Sequence, residues 1–82
     1  MLIHTGGGIM VRDREVIGVF DMDGHGELSA TTVDFLKRAE KSGIVRSAGD
    51  DLPRSFVLTD REVILTHISA ATMEKRAEDA LC

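Results

Sequence analysis

An apolar run from Val16 to Phe20 ends in Asp21, and Asp23 and Gly24 follow almost at once. A carboxylate at the end of a buried strand, a second acid two residues on and a glycine to turn the chain could form an aspartyl nucleophile with its acid–base partner. Such a pair would carry phosphoryl transfer through a covalent aspartyl phosphate. That chemistry also needs a lysine and further metal-binding acids on a large doubly wound sheet, and the chain after Gly24 offers one helix and one hairpin. An EF-hand loop starting at Asp21 would put Asp23 third and Gly26 sixth, but His25 falls fifth and Thr32 twelfth, so the bidentate glutamate is missing. Asp21 and Asp23 therefore read as groups that solvate the end of a strand.

The other small motifs are equally economical. Gly6, Gly7 and Gly8 are followed by no helix and no lysine with serine or threonine, so they read as a hairpin turn rather than a phosphate cradle. His4, His25 and His67 have no paired ligand spacing, and Ser29, Ser42, Ser47, Ser55 and Ser69 have no GxSxG setting. The sequence thus predicts no catalytic residue, no metal site and no cofactor. The cations are a different matter. Arg12, Arg14 and Arg61 lie in or beside two turns, and Arg46 and Arg54 flank a polar loop. Arginines exposed on turns are what phosphate binding requires. The alternative is that they pair with the neighbouring Asp13, Glu15, Asp60 and Glu62. With no Trp and no Tyr to stack on bases, any nucleic acid would be duplex rather than single-stranded.

Positioning these groups falls to a short chain. Its 82 residues predict a single domain, 1–82, whose core is thin because a chain this small buries only about 60% of the surface its unfolded form exposes. Three phenylalanines are the whole aromatic content, so self-association is a natural way to bury more surface. A formal charge of −4 is unlike the basic excess of a dedicated nucleic-acid binder, although a ring or dimer repeats even a small basic patch many times. The only cysteine is Cys82, which excludes an internal disulfide and fits a reducing compartment. No leader-like or membrane-spanning apolar run is seen, so the expected location is the cytoplasm.

Patterning predicts an α+β fold of antiparallel hairpins with two helices. Leu2 to Thr5 and Ile9 to Val11 flank the glycine turn as a first hairpin, and Val16 to Phe20 forms a third strand. A helix capped by Ser29 or Thr31 runs to about Ser42, with Val33, Leu36 and Ala39 on one stripe and Gly43 as terminator. Ile44 and Val45 add a brief strand. Ser55 to Thr59 and Val63 to Thr66 form a second hairpin, and Ser69 caps a final helix, with Ile68 and Met73 spaced as a hydrophobic staple. The string DREVI occurs at Asp13 to Ile17 and again at Asp60 to Ile64, which predicts the same hairpin turn twice and raises the question of whether the two turns share a surface.

Taken in order, "IHTGGG" at the start, "EVIGVFD" at 15 to 21, "FLKRAEKSG" at 35 to 43, "LPRSFVLTDREVILTHIS" at 52 to 69 and "ATMEKRAED" near the end resemble the small bacterial family of extracellular matrix regulatory proteins, RemA and RemB. The resemblance spans nearly the whole chain, and the IHxG start with FD closing the third strand looks closer to RemB. It implies a cytoplasmic, non-enzymatic regulator of biofilm-matrix genes, from a family whose RemA branch binds duplex DNA as a ring-shaped homo-oligomer. It also implies a subunit fold similar to LytTR-type domains, with loop arginines facing phosphates. Carried over by position, the family's loop arginine pair is replaced here by Asp50 and Asp51 and only Arg54 keeps a cation nearby. Another family arginine aligns with Glu15, beside Arg14. The expected DNA contacts are Arg14, Arg54 and Arg61, with Arg12 and Arg46 beside them. A second reading stays open: an oligomeric adaptor whose acids Asp21, Asp23, Glu27, Asp50 and Asp51 meet a basic partner or a RemA-like paralogue without DNA.

Overall fold

The structure, a computed structural model, describes residues 1–22, 29–49 and 52–81. Its element order is β1 (Leu2–Gly6), β2 (Ile9–Arg12), a 3-10 turn (Asp13–Glu15), β3 (Val16–Asp21), α1 (Ala30–Lys41), β4 (Val45–Ser47), β5 (Ser55–Thr59), β6 (Val63–Thr66) and α2 (Ala70–Leu81). The expected α+β class is what is seen. Strands β1 and β2 form a two-stranded antiparallel sheet, and the other four form a mixed sheet in the order β3-β5-β6-β4.

The first hairpin follows its alternation. Ile3 and Val11 sit opposite each other and are buried, whereas Leu2, His4, Met10 and Arg12 face outward. Thr5 is buried at no cost in unmet polarity because its hydroxyl donates to the Ile9 carbonyl at 2.8 Å. The turn is pressed against the rest of the molecule: a Cβ on Gly7, whose φ is +56°, would lie 2.4 Å from the Ala48 carbonyl oxygen.

Both helices start, and α1 stops, as their caps dictate. Ser29 Oγ accepts from the Thr32 N–H at 3.1 Å, and Ser69 Oγ accepts from the Thr72 N–H at 3.3 Å. At the end of α1, Gly43 takes φ +77°, its N–H bonds the Glu40 carbonyl and the Ile44 N–H reaches back to Ala39, a Schellman closure that satisfies the last carbonyls. Ile68 and Met73 meet as the staple spacing predicts, with Met73 fully buried.

The four-stranded sheet is covered on both faces. On one side Val57 and Ile64 pack with Ile3 and Val11 of the hairpin, Ala48, and Met73 of α2. On the other, Phe56 and Val63 pack with Ala39 of α1, joined by the half-buried Leu36, Val45 and Leu65. Phe20 stacks on Phe56 with ring centroids 4.9 Å apart.

Two expectations are corrected. The sheet is not built of antiparallel hairpins alone, because β4 lies parallel to β6, in register Val45 with Val63, Arg46 with Ile64 and Ser47 with Leu65. Helix α1 supplies the crossover between β3 and that strand, and a parallel neighbour follows from the return direction it imposes. Nor do the two DREVI strings make the same turn. Asp60 to Glu62 closes a hairpin, but Asp13 to Glu15 is a 3-10 turn that carries the chain from one sheet to the other, since β2 pairs with β1 and β3 with β5.

Candidate functional site

The register of the mixed sheet decides which arginines meet. Val16 of β3 lies opposite Thr59 of β5, and Leu58 lies opposite Val63 of β6, so the starts of β3 and β6 and the end of β5 share one end of the sheet. Parallel pairing brings the start of β4, with Arg46, to the same end. The two DREVI turns therefore do share a surface. They touch directly, the Asp60 N–H donating to the Glu15 carbonyl at 3.1 Å.

Thr59 organises the hairpin turn. Its hydroxyl donates to the Glu62 carbonyl at 3.0 Å and accepts from the N–H groups of Glu62 at 3.0 Å and Arg61 at 3.3 Å. That fixes the backbone from which Arg61 and Glu62 project. The Arg61 guanidinium reaches across to Glu15, with Nη2 3.4 Å from Oε1, and lies 3.9 Å from Asp60 Oδ1. Arg46 Nη1 lies 3.3 Å from Glu62 Oε1 and 3.5 Å from Oε2. Glu15, Arg46, Thr59, Arg61 and Glu62 thus line a shallow depression of about 320 Å³. Here two arginines face two carboxylates, with Asp60 beside Arg61.

Arg12 and Arg14 border this end in a separate hollow lined also by Met1, Leu2 and Asp13. Asp13 accepts from the Arg14 backbone N–H at 2.8 Å and lies 3.3 Å from the terminal amine. The Arg14 N–H, more than the neighbouring positive charges, holds the Asp13 carboxyl below its ordinary value. Among the described residues, the Arg12 and Arg14 guanidinium groups make no hydrogen bond or ion pair.

Arg54 stands elsewhere. Its N–H bonds the Thr66 carbonyl at 2.8 Å and its carbonyl accepts from Met22, which places it at the opposite end of β5. At ~3.3 Å per strand residue it is about 20 Å from the Asp60 turn. Four of the five expected contacts, Arg12, Arg14, Arg46 and Arg61, therefore gather at one end, and Arg54 does not join them. Its neighbours Asp50 and Asp51, like Asp23, Gly24, His25, Gly26 and Glu27 of the motifs weighed above, lie outside the described residues.

The pairing of turn arginines with turn acids was foreseeable, but not its pattern: Arg61 selects Glu15, 46 positions away in the chain, and Arg46 selects Glu62. Thr59 was not singled out, although a threonine opening a T-D-R-E turn is the signal that would have found it. Asp21 ends an edge strand that pairs antiparallel, not the central parallel strand an aspartyl nucleophile needs. His4 and His67 are exposed, and no group of three metal-binding side chains occurs among the described residues. No described helix is long and apolar enough to cross a membrane.

The comparisons agree with this frame. Residues 2–77 match the RemA-like family, described as extracellular matrix regulatory protein A-like. Over 78 residues the chain is 32% identical to extracellular matrix regulatory protein B of Bacillus subtilis (strain 168), covering 95% of this chain and 91% of that protein. The matched span takes in both hairpins, both turns and most of α2, so the arginine end lies wholly within it, and the chain belongs to the RemA-like family of extracellular matrix regulatory proteins.

Proposed function

We propose that this chain is a non-enzymatic regulator of biofilm extracellular-matrix genes that binds duplex DNA as a homo-oligomer in the cytoplasm. Membership in a family of matrix regulators supports the regulatory part. The observation that carries the DNA part is the convergence of Arg12, Arg14, Arg46 and Arg61 on one end of the mixed sheet. Side chains projecting from turns and strand ends reach phosphate oxygens rather than base edges, so affinity would depend steeply on salt and little on sequence. Arg54, at the far end of β5, would make a separate contact.

Assembly has its own support. Strand β3 is a sheet edge, and Ile17 and Phe20 on it and Phe35 on α1 are exposed. An open edge with apolar side chains is a surface that a second copy would cover, and a closed ring would repeat the arginine end around its circumference. The test is anisotropy of a labelled duplex titrated with protein at several salt concentrations, with mass measured in parallel by light scattering. Alanine at Arg14, Arg46 and Arg61 together should abolish most binding and flatten the salt dependence; unchanged binding would overturn the assignment.

A second reading draws on the carboxylates of the same end. With Arg46 and Arg61 already engaged by acids and an overall charge of −4, the chain would act as an oligomeric adaptor for a basic partner or a RemA-like paralogue. It predicts that charge reversal at the exposed Asp21, with Asp23, Glu27, Asp50 and Asp51, weakens capture of that partner.

A further inference from the structure

We infer that Glu15 and Glu62 are built-in competitors of phosphate, occupying Arg61 and Arg46 so that the arginine end is self-masked and its affinity is set by how readily these two ion pairs open. The inference rests on the reading of this end as a phosphate-binding surface. Carboxylate and phosphate oxygens accept the same guanidinium N–H groups, so one acceptor must leave before the other can bind.

The geometry favours exchange. Charge-assisted N–H···O bonds are typically ~2.7–2.9 Å, whereas the two pairs here span 3.3 to 3.5 Å. Arg46 offers a single nitrogen to both Glu62 oxygens rather than a two-nitrogen fork, and Arg61 touches one oxygen of Glu15. The guanidinium side chains are the exposed members, at 54% for Arg46 and 76% for Arg61, while Glu62 and Glu15 are 27% and 22% exposed. The acids, like Arg61, project from fixed backbone, but on shorter side chains. The backbone of Glu15 is held by the Asp60 N–H, and that of Glu62 by the Thr59 hydroxyl and N–H. An arriving phosphate can therefore draw the arginines outward, but Glu15 and Glu62 stay behind as two fixed negative charges beneath it.

The consequence is a tunable affinity. Glu15→Gln with Glu62→Gln removes both competitors while keeping side-chain shape. Duplex affinity at low salt should rise by about tenfold, and each phosphate newly engaged should steepen the salt slope by about 0.9. Asp34→Asn with Glu40→Gln, exposed on α1 and lining neither arginine hollow, makes the same change in net charge and at the same salt should raise affinity by less than about threefold. If the two double variants behave alike, masking is overturned and only net charge matters.

A second readout separates this inference from DNA binding itself. Inorganic pyrophosphate is titrated while the Nε–Hε signals of Arg46 and Arg61 are followed by NMR, with backbone amide spectra confirming the fold. Tighter pyrophosphate binding in Glu15→Gln, Glu62→Gln than in the unsubstituted chain supports masking, even if no form binds duplex and the DNA reading fails. Equal pyrophosphate affinity overturns masking, even if the unsubstituted chain binds duplex well.

Discussion

The same five residues, DREVI, build two unlike pieces of this molecule. At Asp60 to Ile64 they close a hairpin and enter β6, one of the two central strands; Val63 and Ile64 are completely buried. At Asp13 to Ile17 they turn between two sheets and enter β3, an edge, where Val16 is half-buried and Ile17 is 65% exposed. The preceding residue accounts for part of the difference. Thr59 supplies a hydroxyl that ties the hairpin turn together, whereas Arg12 has no acceptor and Asp13 instead receives the Arg14 N–H on its own carboxylate. The remainder is tertiary: a strand's burial depends on how many neighbours its place in the sheet gives it, which no five-residue string encodes.

The largest effect that would break this comparison lies in the two isoleucines. Ile64→Ala should cost about 2–5 kcal/mol in chemical denaturation because it leaves a cavity between the sheet, the hairpin and α2. Ile17→Ala should change subunit stability by less than about 0.5 kcal/mol, with any further loss appearing only as weaker assembly. Comparable costs in dilute protein would mean that β3 is not an open edge.

Next comes the turn. Thr59→Val keeps the shape but removes one donor and one shared acceptor at a buried position, and should cost about 1–3 kcal/mol by the same measurement.

A smaller effect distinguishes the arginines. Arg14 makes no ion pair among the described residues and Arg61 is held by Glu15, so Arg14→Ala should weaken duplex binding more than Arg61→Ala, each flattening the salt slope by about 0.9. The reverse order would mean that the Glu15 pair orients Arg61 for binding instead of masking it.

The smallest effect is that of pH at the first turn. The Arg14 N–H lowers the folded-state pKa of Asp13 below its ordinary value, so its contribution to stability is present above the unfolded value and is lost as pH falls through the folded one. The difference in melting temperature between the parent chain and Asp13→Asn should accordingly be present at neutral pH and shrink below about pH 4.

Much of the fold was legible because it is local. The glycine turn, the serine caps, Gly43, the Ile68 and Met73 staple and the second hairpin each depend on residues within a few positions of one another. Sheet order was not legible, since pairing β3 with β5 joins residues nearly 40 apart and the parallel placement of β4 follows from where α1 returns the chain. The site divides in the same way. Turn position marked Arg12, Arg14, Arg46, Arg54 and Arg61 as exposed cations, but only the register separates Arg54 from the other four and sets Glu15 against Arg61. The family resemblance supplied the regulatory context, which the residue types alone did not.

The most direct test of the central claim is the salt-dependent anisotropy titration of a labelled duplex, comparing the parent chain with Arg14→Ala, Arg46→Ala, Arg61→Ala in combination and with Arg54→Ala alone. The account predicts binding by the parent chain that weakens steeply with salt, near-complete loss in the triple variant and a partial loss in Arg54→Ala. Duplex binding that survives the triple variant with its salt slope intact would contradict it.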